Sequence, residues 1–239
     1  MHHPKSLQLG LAQTLMASGA ISSWAEYTSG RKVSDVRSWL ARWLWPTWAG
    51  LAVPGFWVAY VTYVAATGRL GSGRATLVAL WPAVPLYAGS CLLAQWERRG
   101  ANPALGRLLA VGVLLAAVDL AIKGWIEAVL PYGRPWPLLP GLLTIDRVDN
   151  VYGTMLAIPG AKPFITALSL VLLPTSVAGY RHYVAHEEPV AWGHAAFVGL
   201  FAGALGKAGD LLWRGLVVDY LHIPGLPVAD LADVYLLWV

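Results

Sequence analysis

Five apolar stretches, each at least 18 residues long, constrain this chain more than any other feature: about Trp48–Thr67, Ala75–Gln95, Leu105–Leu130, Pro163–Tyr180 and Ala191–Trp213. At 1.5 Å of rise per residue, some 20 helical residues cross a bilayer core of roughly 30 Å. Inside lipid the backbone must satisfy its own hydrogen bonds, which makes these stretches helices. Charged residues are only 13% of the 239-residue sequence, about half the roughly 25% of a soluble globular protein. That excludes a disordered chain, a nucleic-acid module and most soluble enzymes. Thirteen Trp and ten Tyr against four Phe fit the aromatic belts at membrane–water interfaces. The single cysteine, Cys91, excludes a disulfide framework and reads as a buried, inert thiol.

Three regions follow from the pattern. Residues 1–47 read as a peripheral N-terminal region. Leu7–Ala25 is too interrupted by Gln, Thr, Ser and Gly for a signal-peptide core. Ser34-Asp35 can cap a short helix, Val36–Trp45, whose Trp39, Leu40, Trp43 and Leu44 stripe suits a membrane interface. Residues 48–95 hold two spans without a carboxylate or basic side chain, read as scaffold, whose Pro54, Pro82 and Pro85 a packed bundle can accommodate. Residues 105–239 carry the charged groups. The positive-inside rule sets Lys5, Arg31, Lys32, Arg37, Arg42, Arg98, Arg99, Arg107 and Arg181 against Arg69, Arg74, Arg134, Arg147 and Lys162. The larger set marks the cytosol. The Pro-rich segment 131–159 and the loop around Asp219 then face away from it.

Asp119, Lys123 and Glu127 are spaced i, i+4, i+8 on one face of the third span, and Asp210, Asp219, Asp230 and Asp233 fall at or beyond the ends of apolar segments. Each charge inside a bilayer costs at least about 2.5–3.5 kcal/mol, so these groups should meet in one partly wet site. Helix–helix ion pairing accounts for part of the set, with Asp119–Lys123 and Asp210–Arg214 both at i, i+4. It leaves Asp219 and Asp233 without an obvious basic partner. Two carboxylates about 3 Å apart cannot both ionise and share a proton. The ionised member can draw a proton from water while the protonated one hydrogen-bonds a carbonyl, which is aspartic peptidase chemistry. His182, His186 and Glu187 read as a solvated cytosolic loop rather than a metal site, His194 as a hydrogen-bonded neighbour, and His222 as a candidate for lining the site. No Ser–His–Asp arrangement or HExxH motif is evident.

Here the residues resemble a family. Gly203-Ala-Leu-Gly206-Lys207-Ala-Gly-Asp210-Leu-Leu-Trp-Arg214-Gly-Leu-Val-Val-Asp219-Tyr220 is similar to the G-A-L-G-N-x-x-D-R-x-x-x-G-x-V-V-D-F block of lipoprotein signal peptidase, signal peptidase II. Asp230-Leu-Ala-Asp233 resembles that family's N-x-A-D, Asp119-Leu-Ala-Ile-Lys123 its D-x-x-x-K, and Asn150-Val-Tyr-Gly153 its N-x-G with one residue added. The resemblance covers about residues 105–239. It implies an all-α polytopic membrane protein: a signal-peptidase-II-like helical bundle with a small extracytoplasmic β-cradle, here with two extra N-terminal transmembrane helices. It implies an aspartic endopeptidase of the bacterial cytoplasmic membrane, a monomer without cofactor or metal, with its site at the extracytoplasmic face. Its substrate would be a lipid-modified prolipoprotein, cut before a diacylglyceryl-modified cysteine in contact with membrane lipid; no nucleic acid is involved. Carried over, Asp219 and Asp233 are the catalytic pair. Asp119, Lys123, Asn150, Gly153, Gly206, Lys207, Asp210, Arg214 and Asp230 support the site or bind substrate, with Gly206 allowing close helix packing.

Four departures stand out. Lys207 replaces an Asn and could pair with Asp210 or Asp219, lowering the latter's pKa. Leu211 replaces an Arg, for which Arg214 could substitute. Asp230 replaces an Asn and, at i, i+3 to Asp233, rivals it as the second carboxylate. Only six residues follow Asp233, and helix from Ala229 onward covers half a bilayer, as in a fragment, a chain completed by a partner or a degenerate relative. Two alternatives therefore stay open: an inactive relative that binds signal peptides or lipidated segments, and a proton-coupled transporter.

Overall fold

The computed structural model describes residues 46, 48–100, 102–153 and 158–239. The expected interfacial helix, Val36–Trp45, lies outside the described residues. The described elements run α1 (Trp48–Ala66), α2 (Gly73–Leu80), α3 (Ala83–Arg98), α4 (Leu105–Val129), β1 (Trp136–Leu139), β2 (Leu143–Asn150), α5 (Lys162–His186), α6 (Ala191–Trp213), β3 (Val217–His222) and α7 (Leu231–Leu236).

Four segments are long and apolar enough to cross a membrane: Gly73–Arg98, Leu105–Val129, Lys162–His186 and Ala191–Trp213. The expected second span is broken at Trp81-Pro82 into α2 and α3. Pro82 at the N-cap of α3 and Pro85 in its first turn lack the N–H that a continuous helix would use. The fourth span runs on to His186. His182 and His186 therefore sit on the last turns of α5, with rings 4.1 Å apart, rather than in a loop.

The hub of the bundle is α6. Both α4 and α5 pack on it, α7 lies against it, and α3 reaches it from the N-terminal side, where α3 also carries α1. Half of its apolar stretch is buried within the protein, against 17% for α5. Small residues make this possible. A Cβ on Gly199 would stand 2.5 Å from the Tyr235 carbonyl oxygen, and one on Gly203 would stand 2.8 Å from Leu236. Gly199 and Gly203 thus form a small-xxx-small face that lets α7 approach at backbone distance. Gly199→Ala is expected to lower stability by about 1–3 kcal/mol through overpacking. Thermal unfolding in detergent reads this out, and an unchanged transition would contradict the packing. Apolar side chains such as Phe56, Leu92, Leu114 and Phe164 point outward, as they should toward lipid.

The three strands form one antiparallel sheet in the order β1-β2-β3. The expected β-cradle is present, and a correction comes with it. Asp219 is not in a loop; it sits on β3, which pairs with the Pro-rich segment's β2. Val217, Val218, Asp219 and Tyr220 are all buried, so β3 is covered on both faces and its alternation is hidden. The hairpin is anchored to the bundle by Arg147. Its guanidinium donates to the Glu127 carbonyl at 2.9 Å and to Tyr132 Oη at 2.8 Å, and stacks 4.1 Å over the Tyr132 ring. Trp125 and Trp136 meet at 5.9 Å beside it, and exposed Trp213 lies at the same end of the bundle, consistent with an interfacial aromatic belt.

Candidate active site

The bundle's charged side chains gather where α4, α6, β3 and α7 converge, around two ammonium groups. The first is Lys123. Its Nζ stands 2.7 Å from Asp119 Oδ2, 2.5 Å from Asp210 Oδ2 and 2.6 Å from Asp230 Oδ2, with all four side chains fully buried. Arg214 adds a contact to Asp210 at 2.7 Å and one to Glu127 at 2.8 Å. Both expected i, i+4 pairs are therefore present, each enlarged by a partner from elsewhere in the chain. Tyr220 Oη donates to Asp119 Oδ1 at 3.1 Å. A buried charge cluster of this kind holds only if every member is paired.

The second ammonium is Lys207. It lies 2.9 Å from Asp230 Oδ2, 3.0 Å from Asp233 Oδ1 and 3.9 Å from Asp219 Oδ1. Of its two expected partners, Asp219 is met at 3.9 Å, while Asp210 is taken by Lys123 and Arg214. Oxygens of Asp219, Asp230 and Asp233 all lie within 4.8 Å of one another, so the structure brings the two predicted catalytic carboxylates together.

Local structure explains how each arrives. On the sheet, Asn150 opposes Val217, and Asp219 is the next residue on the same face of β3. Across that diagonal, Asn150 Nδ2 donates to Asp219 Oδ2 at 2.9 Å. Asn150 Oδ1 accepts from the Tyr152 and Gly153 amides at 3.2 and 2.9 Å, closing a turn in which Gly153 has φ +73°. The added residue between Asn150 and Gly153 is absorbed by this turn, and Gly153 supplies the left-handed backbone it needs. Tyr220, one residue on, points to the other face and into the Lys123 cluster.

The last block is positioned from β3 as well. The Tyr220 and Leu221 amides both donate to the Ala229 carbonyl, at 2.8 and 2.7 Å. This pins the chain just ahead of Asp230. Asp230 is then the N-cap of α7, not a residue on its face as the spacing suggested. Its Oδ1 accepts from the Asp233 amide at 2.8 Å, while Asp233 Oδ2 accepts from the Asp230 amide at 3.3 Å. This is a capping box with aspartate at both positions. Gly206 sits where a Cβ would lie 3.2 Å from Asp119 Oδ2 and 3.4 Å from Ala232 Cβ, close against α4 and α7.

Burial pushes the Asp219 carboxyl up to about 7, against the opposing pull of Lys207 and of the Asn150 hydrogen bond. The sequence had suggested that lysine would lower it; desolvation outweighs the ammonium because the carboxylate is 3.9 Å away. Asp233, in the first turn of α7, is raised too, by burial and then by the charge of Asp230, with Lys207 opposing. Asp230 is held below the usual range, since its two ammonium partners more than offset burial. His222 is engaged elsewhere, with Nδ1 3.9 Å from Asp146. His194 Nδ1 meets Tyr180 Oη at 2.8 Å, as a hydrogen-bonded core histidine. The sequence reading missed Tyr220, whose hydroxyl is visible as a site element only once β3 is known.

A sequence profile of the family described as signal peptidase (SPase) II matches residues 111–238, more than half of the chain. The chain belongs to the signal peptidase II family. Lipoprotein signal peptidases from Streptococcus pyogenes serotype M6, Latilactobacillus sakei and Pelotomaculum thermopropionicum are 25%, 26% and 27% identical to it. These alignments cover 52–53% of this chain and 81% of each relative. A solved structure titled as a bacterial membrane enzyme aligns with a TM-score of 0.48 and 24% identity, over 55% of this chain and 81% of that one. The signal peptidase II match begins within α4, so α1–α3 lie outside it.

Proposed function

We propose that this chain is an aspartic endopeptidase that removes signal peptides from lipid-modified prolipoproteins, with Asp219 and Asp233 as its catalytic pair. The convergence of these two carboxylates, with oxygens within 4.8 Å, carries the reading. Asp230 does not serve as the second member. It is fully buried and saturated by Lys123, Lys207 and the Asp233 amide, so its role is to position the others. Membership of the family and the names of its relatives support the substrate class.

Lys207 is nearer to Asp233 than to Asp219, which favours the ionised form on Asp233 and the proton on Asp219. Asp219 Oδ1 accepts no hydrogen bond among the described residues, which suits it to carry the proton offered to the scissile carbonyl. Asp233 takes a proton from water as the water oxygen bonds to the carbonyl carbon. Asp219 hydrogen-bonds the carbonyl oxygen and gives up its proton as the tetrahedral centre forms. Collapse then breaks the C–N bond: the proton on Asp233 passes to the leaving amine, and a gem-diol hydroxyl returns its proton to Asp219, which restores the pair and leaves a carboxylic acid. Lys123, Asp119, Asp210 and Arg214 hold the end of α6 in place, and Asn150 orients Asp219. Each Asp cluster is centred on an ammonium, Lys123 in one and Lys207 in the other. The positive-inside bias puts this end of the bundle at the extracytoplasmic face, and the protein works as a monomer in the cytoplasmic membrane.

Purified protein should cut a diacylglyceryl-modified precursor before its cysteine and leave the unmodified precursor intact. The rate should fall as pH rises through about 7, where Asp219 loses its proton. Lys207→Asn removes a charge that pulls this value down, so the alkaline limb should move to higher pH. An unmoved limb would refute the assignment of Asp219 as the proton donor. The Lys207–Asp233 contact favours a second reading, a relative that binds lipidated segments without cutting. Binding without cleavage across the pH range would establish it. A proton relay is disfavoured because the carboxylates gather at one end of the bundle.

A further inference from the structure

We propose that α1–α3 wall an acyl-chain chamber that opens on Asp233 and selects precursors by the length of their lipid. The proposal rests on the peptidase reading above. A cavity of about 530 Å³ lies between α1–α3 and the α7 segment, within the usual range for a small-molecule site. Trp57, Tyr60, Trp81 and Leu86 line one side, Leu221 and Leu237 are among the residues opposite, and Asp233 is the single charged residue on its wall. The indole N–H groups are used elsewhere. Trp57 Nε1 donates to the Ala79 carbonyl at 2.9 Å, and Trp81 Nε1 to the Leu142 carbonyl at 3.2 Å. Both therefore present hydrocarbon faces to the cavity, and the second bond ties the start of α3 to the turn of the β1–β2 hairpin.

Close packing adjoins the chamber. A Cβ on Gly89 would stand 2.5 Å from the Trp238 ring, and one on Gly225 would stand 2.5 Å from Leu70. A cavity walled by so few polar groups favours an apolar guest. Its continuity with Asp233 says which guest. The lipid attached to the residue beside the scissile bond is the hydrocarbon that chemistry brings to this carboxylate. The walls from α1–α3 lie outside the region matched by the family, so chain-length selection of this kind belongs to this protein's added helices.

The experiment uses full-length protein in nanodiscs and two photoreactive precursors. One carries a diazirine near the end of an acyl chain; the other is unlipidated, with photoleucine in its signal segment. Crosslinks from the acyl probe should map to Trp57, Tyr60 and Leu86, and the peptide probe should not label them. This readout needs no cleavage, so it stands apart from the catalytic assay. In that assay, Leu86→Trp narrows the chamber and should lower the kcat/KM ratio of long-chain to short-chain precursors by roughly tenfold or more. Trp57→Ala widens it and should move the ratio the other way. Labelling by the peptide probe alone, loss of acyl labelling to excess plain phospholipid, or unchanged ratios in two active variants would each overturn the proposal. If nothing is cut but the acyl probe labels these residues, the chamber stands and the peptidase reading falls.

Discussion

Asp219→Asn and Asp233→Asn should each lower kcat/KM for a lipid-modified precursor by roughly 10³–10⁴-fold or more, because each removes one half of a proton-transfer pair. Neither should unfold the protein. Burial disfavours the charged form of both side chains, so an uncharged amide carries no desolvation cost. Asn can still accept the Asp230 amide at the capping position. Activity lost with the thermal transition kept or raised is therefore the signature of a reacting group. Asp230→Asn should behave in the opposite way. Asn caps a helix as well as Asp does, yet Lys123 and Lys207 would both lose a carboxylate partner. Its unfolding temperature should drop, and the cleavage that remains should scale with the folded fraction. If Asp230→Asn is stable and inactive while Asp233→Asn still cuts, the pair has been assigned to the wrong residue.

Lys123→Met should be the most destabilising single change in the protein. The ammonium contacts three fully buried carboxylates from α4, α6 and the start of α7. Removing one partner of a buried ionic cluster costs about 3–5 kcal/mol, because uncompensated charge remains. Lys123→Arg should not rescue it. Three carboxylates converging on one point suit a compact ammonium, whereas a planar guanidinium pairs side-on. Adding Asp119→Asn to Lys123→Met should recover part of the loss by removing one of the stranded charges. Denaturant titration in detergent measures all three. Equal stability of Lys123→Met and wild type would show that the cluster is not the anchor of the site.

Much of this could be read from the chain alone. Membrane crossing is written in residue type and length, since no other solution satisfies a long apolar backbone in lipid. Four of the five expected spans, the gathering of the carboxylates at one end of the bundle and the family resemblance all followed from one-dimensional patterns. The pairs Asp119–Lys123 and Asp210–Arg214 were legible because four residues make one helical turn. Three things were not. The strand carrying Asp219 is buried on both faces, so Val217-Val218-Asp219-Tyr220 shows no alternation to betray it. The partner of Lys207 depends on competition, since Lys123 and Arg214 already hold Asp210 and only the tertiary fold brings Asp230 and Asp233 within 3.0 Å. Asp230 and Asp233 look equivalent at i, i+3, yet the Ala229 bridge to β3 makes one a buried cap and leaves the other facing Asp219. Sequence determined which residues had to be hidden from lipid together; the packing of α4, α6, β3 and α7 decided which of them face one another, because charge pairing in a buried site depends on distances that no spacing along the chain records.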